Sequence, residues 1–352
     1  MVLEDFVKGR DNNFNLLRIV AAFSILIFHS FSLPYQDTQK FFGFHIGDID
    51  DFFVHIFFVT SAFLVTSSLL HRQSLADFLW ARALRIFPAL FFMLVLSVIL
   101  IGLFFSTLSF RDYFTNTDVY YYFVKCLTLF SGVVYHLPGA FSENPTTAIN
   151  GSLWTLPYEV KLYALLVSGW VALKIIYPLK NEKLFKVFIS IIYISLALYL
   201  LVSIVLVEEY SEGKLVRFMF FSGSFFWVFR SHIIMRTSIF ILLVLLLSLS
   251  AYFNMTVFKI TYLASLPYIV FYLAYIPNGI VRKYNGLGDY SYGVYIYAFV
   301  IQQAIIAVTP NINGSTLVVY SSVVTLFIAI ISWHFVEKKA LRYKRTFIVK
   351  EV

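Results

Sequence analysis

Residues 14–33 read FNLLRIVAAFSILIFHSFSL. Twenty residues with an apolar majority are what a helix needs to cross a bilayer, yet Arg18 and His29 interrupt the run. Eleven helical steps of about 100° return almost to the starting angle, so Arg18 and His29 share one face, about 16 Å apart along the axis. A charge near the bilayer centre costs on the order of 2.5–3.5 kcal/mol, so such residues look into protein or water and commonly line a pathway or a reaction site. The plainer alternative has Arg18 snorkelling to the headgroups and His29 standing as a polar residue at the interface.

The rest of the chain agrees with a membrane reading. Of 352 residues, 60% are hydrophobic, 20% aromatic and 13% charged, which excludes a soluble domain. The first segment is too long and too polar for a cleaved signal peptide, so it is read as a retained span. The single cysteine, Cys126, excludes an intramolecular disulfide and a CxxC metal site. A net charge of +8 suggests nucleic acid only where the basic residues form one patch. Here they are spread over loops between apolar runs, so membrane topology accounts for them and no nucleic-acid partner is expected.

Apolar segments long enough to span recur at Phe14–Leu33, Phe52–Leu70, Ile86–Ser106, Leu153–Ala172, Leu184–Val207, Leu215–Phe229, Ser238–Phe253, Val257–Ile276, Tyr290–Thr309 and Ser315–Phe335. The fold class expected is therefore an all-α polytopic membrane protein of about ten transmembrane helices. Loop charges alternate. Lys8 and Arg10, then Arg72, Arg82 and Arg85, then Lys174, Lys180, Lys183 and Lys186, then Arg230 and Arg236, then Arg282 and Lys283, then the tail from Lys338 fall on one side, expected to be the cytoplasm. Asp37, Asp48, Asp50, Asp51, Glu143, Glu208, Glu209 and Glu212 fall on the other. An even helix count then puts both termini in the cytoplasm. The long connection from Thr107 to Gly151 belongs to the outer face, and its apolar, aromatic stretch Tyr120 to Val134 is suited to lie along the interface. With no internal repeat and no low-complexity tract, residues 1–352 are expected to form one membrane domain without a fused soluble one.

Several stretches, in order, carry a family resemblance. NFNLLRIVAAFSILIFHSF (Asn13 to Phe31), with Arg18 and His29 separated by ten residues, resembles the signature of the acyltransferase-3 family of integral membrane acyltransferases. VHIFFVTSAFLV (Val54 to Val65) is similar to the family's second-helix motif, FLWARALRIFPAL (Phe78 to Leu90) to its Arg-x-x-Arg segment, and NGSLWTLPYEVKLY (Asn150 to Tyr163) to its Asn-Gly-Ser-Leu-Trp block. LGDYSYGVYIYAFVIQQ (Leu287 to Gln303) and SWHFVEKKA (Ser332 to Ala340) resemble its closing pattern. The chain departs from the family at His55, where many members carry an acid, and at Ala62, where many carry Gly.

The resemblance implies acyl transfer from a thioester, most simply an acetyl group from cytoplasmic acetyl-CoA to a hydroxyl of a sugar in a surface polysaccharide or lipid-linked glycan, in a bacterial inner membrane. That chemistry asks for a base, for groups that hold the donor's phosphates, and for a protected route. His29 suits the base, because neutral imidazole near pH 7 accepts a proton from a hydroxyl and returns it to the leaving thiol. Glu159 is the intramembrane carboxylate that would orient or charge-balance it, or else a structural partner of Lys161 or Arg18. Arg82 and Arg85, one helical turn apart with Arg72 near, form a fork for the phosphates of coenzyme A, or else mark the positive-inside rule. Asn150, Ser152 and Trp154 would bind the sugar; equally, Asn150 and Ser152 would cap the fourth span, with Trp154 in the aromatic belt. His45, His71, His136, His232 and His334 lack metal-ligand spacing, so no metal is expected. The rival from another class is a transporter or flippase for a lipid-linked sugar or a small anion, since Arg, His and Glu also mark translocation paths. The paired, interrupted halves usual in transporters are not found. A succinyltransferase of the same family is a third reading.

Overall fold

A computed structural model describes residues 1–345 except 8, 10, 36–39, 42–43, 72–73, 178–180 and 208–210. Of the residues used above, Lys8, Arg10, Asp37, Arg72, Lys180, Glu208 and Glu209 lie outside the described set. Helices run in the order α1 Phe14–Ser32, α2 Ile46–His71, α3 Leu75–Leu96, α4 Gly102–Phe104, α5 Phe110–Thr115, α6 Thr117–Thr128, α7 Thr155–Ile176 and α8 Asn181–Val202. They continue as α9 Glu212–Val228, α10 Thr237–Phe253, α11 Met255–Tyr275, α12 Ile280–Lys283, α13 Ser291–Val308, α14 Gly314–Ser332 and α15 Lys338–Arg342. A π-turn at Ser97–Ile101 joins α3 to α4, and another at Trp333–Glu337 joins α14 to α15. The only strands among the described residues are the two-residue pair Lys40–Phe41 and Phe44–His45.

Seven of these helical stretches are long and apolar enough to cross a membrane: Phe14–Tyr35, Asp51–His71, Leu75–Phe104, Glu182–Val207, Met255–Tyr275, Ser291–Val308 and Gly314–Arg342. Ten were expected; among the described residues seven meet that length and hydropathy, and the other three expected segments are helical too but differ in composition or length. The segment at Leu153–Ala172 lies in α7, where Glu159 and Lys161 in the first two turns lower the hydropathy. Those at Leu215–Phe229 and Ser238–Phe253 lie in α9 and α10, each of 17 residues, at the lower limit of what an untilted span requires.

Helix starts follow local chemistry. Ser74 Oγ accepts from the Asp77 amide at the head of α3, Asn254 Oδ1 from the Thr256 and Val257 amides at α11, and Asn313 Oδ1 from the Thr316 amide at α14. Each satisfies donors that the first turn leaves without an intrahelical partner.

The chain divides into two compact units. The first comprises residues 1–18, 54–71 and 161–288. An aromatic cluster fills it: Phe63 stands 4.5 Å from Phe271 and 5.0 Å from Trp227, and Phe14 packs edge-on to Tyr275 at 5.4 Å. Gly223 of α9 lies against α2 so closely that a Cβ there would sit 2.1 Å from the Val59 carbonyl oxygen, the close approach that small residues allow between membrane helices. Thr66 donates to Ser224 across the same crossing at 2.9 Å. At one end of this unit the Asn13 side chain donates to the Leu273 and Pro277 carbonyls, Arg282 pairs with Asp11 at 2.7 Å, and Arg230 with Glu4 at 3.1 Å.

The second unit comprises residues 19–53, 72–160 and 289–352. Here α13 and α14 pack along their length, with Gly293 facing Ala329 so closely that a Cβ would lie 3.0 Å from its Cα. Trp80 of α3 donates to the Tyr343 carbonyl at one end. At the other, Leu33, Phe299, Ile306, Ile312 and Leu317 form a buried cluster. The long connection is ordered: backbone bonds from Thr107 to Gly139 and from Phe141 to Phe105 close it at its base. Within it α6 is amphipathic, with Val119, Tyr122 and Cys126 buried and Tyr120, Tyr121 and Val124 exposed, which suits a helix lying in an interface. Burial pushes the Cys126 thiol up to about 11.

Candidate active site

Within the second unit, His29 stands in the last turn of α1, half-buried, with its ring perpendicular to Phe299 of α13 at 5.4 Å. Phe299 lies in turn against Gly151, where a Cβ would be 2.6 Å from its ring. One turn further along α13, the Gln302 amide donates to the Leu26 carbonyl and to Ser30 Oγ, both at 2.7 Å, and so bonds α1 on either side of His29. The neighbouring Gln303 donates to the Thr146 and Ala148 carbonyls and straps the end of the long connection to the same helix.

The Asn150–Ser152–Trp154 turn is held from inside. Asn150 is fully buried; its Nδ2 donates to the Ile296 carbonyl at 2.8 Å and its Oδ1 accepts from the Ser152 amide. The Ser152 carbonyl accepts from Tyr295 Oη at 2.7 Å, and Tyr295 Oη also meets Thr155 Oγ1 at 2.7 Å. The contacts of Asn150 are thus those of a cap and an anchor to α13, whereas Trp154 is half-buried beside Tyr158.

On α3, Arg85 carries a cluster that the Arg-x-x-Arg spacing alone does not reveal. Its guanidinium meets Asp289 at 2.6 Å and Glu337 at 3.7 Å and lies 5.6 Å from the Tyr292 ring centroid. Ser291 donates to Asp289, and Ser332 to Glu337, which is 2% exposed. Glu159 of α7 lies within Coulombic reach of both Arg85 and Tyr292. A phosphate approaching Arg85 therefore competes with carboxylates already there; Arg82 lies one turn earlier on α3 and is half-buried. Asp289 and Glu337 both lie in the stretches quoted above, Leu287 to Gln303 and Ser332 to Ala340, but they flank the apolar segments, so their charge alone does not mark them.

Arg18 belongs to the first unit, on the same helix α1 as His29, with its guanidinium 5.5 Å from the Phe57 ring centroid. That unit also buries His55, whose Nδ1 is 2.7 Å from Tyr262 Oη and whose Nε2 is 3.7 Å from a Glu212 oxygen. Glu212, read above only as an outer loop charge, is the carboxylate beside this histidine.

A family model described as an acyltransferase domain, of the acyltransferase-3 type, matches residues 11–334. The chain belongs to the acyltransferase-3 family. It is 31% identical to an O-acetyl transferase of Shigella phage Sf6 over 94% of this chain and 96% of that one. It is 25% identical to Nodulation protein 10 of Rhizobium leguminosarum bv. viciae over 98% of this chain and 97% of the relative. No solved structure matches it. As a family member this multi-helical membrane protein is an acyltransferase, and its motifs distribute as described: the Arg18–His29 signature on α1, the Arg-x-x-Arg pair on α3, and the closing pattern on α13 and the α14–α15 turn.

Proposed function

We propose that this acyltransferase moves an acetyl group from cytoplasmic acetyl-CoA to a sugar hydroxyl of a surface polysaccharide or lipid-linked glycan, in a bacterial inner membrane. The observation that carries the reading is the near full-length similarity to a protein named O-acetyl transferase. In this reading His29 takes the proton of the acceptor hydroxyl as that oxygen attacks the thioester carbonyl, and returns it to the departing thiolate, so the proton count closes without a further reagent. Arg18, nearer the start of α1, supplies positive charge on the donor's side, and Arg82 with Arg85 faces the phosphates. Glu159 balances charge beside Arg85. Trp154, carried on the turn that Asn150 and Ser152 hold, offers a ring face to the sugar.

The test uses the purified protein in lipid nanodiscs with acetyl-CoA labelled in the acetyl group and the glycan of its host. The expected result is label in ester linkage to the glycan and release of free coenzyme A in equal amount. Transport of a glycan with no consumption of thioester would overturn the reading, and transfer from succinyl-CoA alone would replace the donor.

A further inference from the structure

We propose that Gln302 is a positioning residue that, with Phe299, aims His29 for proton transfer. This rests on the reading of His29 as the base. Gln302 is fully buried in the middle of the apolar helix α13, where an amide is costly unless its groups are bonded. Its Nε2 spends its two hydrogens on the Leu26 carbonyl and on Ser30 Oγ, both at 2.7 Å, while Ser30 Oγ itself donates to the Leu26 carbonyl at 2.9 Å. Leu26 and Ser30 are three residues before and one after His29, so the amide grips the single turn that carries the imidazole. A carbonyl inside a helix is already served by the amide four residues on. The additional donors therefore fix where this turn stands and satisfy no orphaned backbone group.

Phe299, one turn earlier on the same face of α13, fixes the ring. Its plane meets that of His29 at 84° and 5.4 Å, a perpendicular contact that limits how the imidazole can turn. Phe299 is itself held in place because residue 151 has no side chain, a Cβ there falling 2.6 Å from the ring. Gln302 also leaves its Oε1 buried without a hydrogen-bond partner. A leucine would fill the space without that orphaned acceptor but would release both bonds to α1, so what the amide adds at this point is the hold on the turn that carries His29.

Gln302→Leu and Phe299→Leu in the full-length protein test the idea. Displacing a reacting group by about 1 Å costs on the order of a hundredfold, so kcat should fall by about that factor while KM for acetyl-CoA stays within about twofold. The pH profile of kcat should move by about half a unit or more, because the imidazole's surroundings change, with the melting temperature held. Wild-type kcat and pH profile in either well-folded variant, or loss of activity in step with stability and with an unmoved profile, would overturn the proposal. If Gln302→Leu does not accumulate in the membrane, Phe299→Leu carries the same readouts. His29→Ala separates the two levels: full transfer by that variant removes the base reading itself, whereas a silent His29→Ala beside a normal Gln302→Leu removes only the positioning role.

Discussion

At the scale of single residues, charge in an apolar run is the feature a sequence displays most openly, and Arg18, His29 and Glu159 stand out on that ground, whereas Arg82 and Arg85 stand out by their Arg-x-x-Arg spacing just before an apolar run. His29→Ala is expected to lower transfer by about 10²–10⁴-fold in protein that still inserts, and His29→Gln should not restore it, since an amide copies the imidazole's hydrogen bonds but cannot act as a base at neutral pH. Glycan acetylation normalised to protein in the membrane is the measure. Gln302 was not legible in the same way: a neutral amide leaves no mark on hydropathy, and its partner Leu26 is 276 residues away in the chain. Asn150 was legible as a cap, but its bond to the Ile296 carbonyl appears only when α13 is in place. The lone cysteine gives a second residue-scale prediction. Cys126 is buried, with its thiol raised to about 11, so it stays protonated and poorly nucleophilic at lower pH. In the folded protein, maleimide should label it slowly from pH 7 to 9, and quickly once denaturant exposes it; prompt labelling in the native state would contradict its burial.

At the scale of helices, the apolar periodicity located helical stretches at all ten segments, with α7, α9 and α10 at the margin of length and hydropathy; what it leaves out is how the helices pack. The Arg85 cluster shows what such packing demands. It ties α3 to Asp289, two residues before α13, and to Glu337 in the π-turn after α14. Removing one member of a buried ion cluster strands the others, at a cost of about 3–5 kcal/mol, whereas neutralising all members together is often tolerated. Arg85→Met should therefore lower the melting temperature strongly, and Arg85→Met combined with Asp289→Asn and Glu337→Gln should recover most of it. The donor KM of the stabilised triple variant then reads directly whether Arg85 also serves the phosphates: a large rise says that it does, and an unchanged value assigns that work to Arg82. A triple variant no more stable than the single one would show that the cluster does not hold these helices together.

At the scale of the whole molecule, internal contacts fix which ends belong together before any membrane is considered. In the second unit, Trp80 near the start of α3 meets Tyr343 beyond α15, and Arg85 meets Asp289 and Glu337, so the start of α3, the start of α13 and the end of α15 share one end. The other end gathers Leu33, Ile306, Ile312 and Leu317, and from α3–α4 the chain enters the long connection closed by Thr107 and Gly139. The first set brings Arg82, Arg85, Lys338, Lys339 and Arg342 together, while the long connection carries Asp112, Asp118 and Glu143. Because short basic loops are retained in the cytoplasm, the first end should be cytoplasmic and the long connection periplasmic. A reporter active only in the periplasm should thus be silent when fused after Arg342 and active when inserted at Gly132, which sits at a positive φ with open space around it and so lies at a tolerant point of the connection. The reverse pattern would invert the molecule, place Arg82 on the side without acetyl-CoA, and require a different donor site.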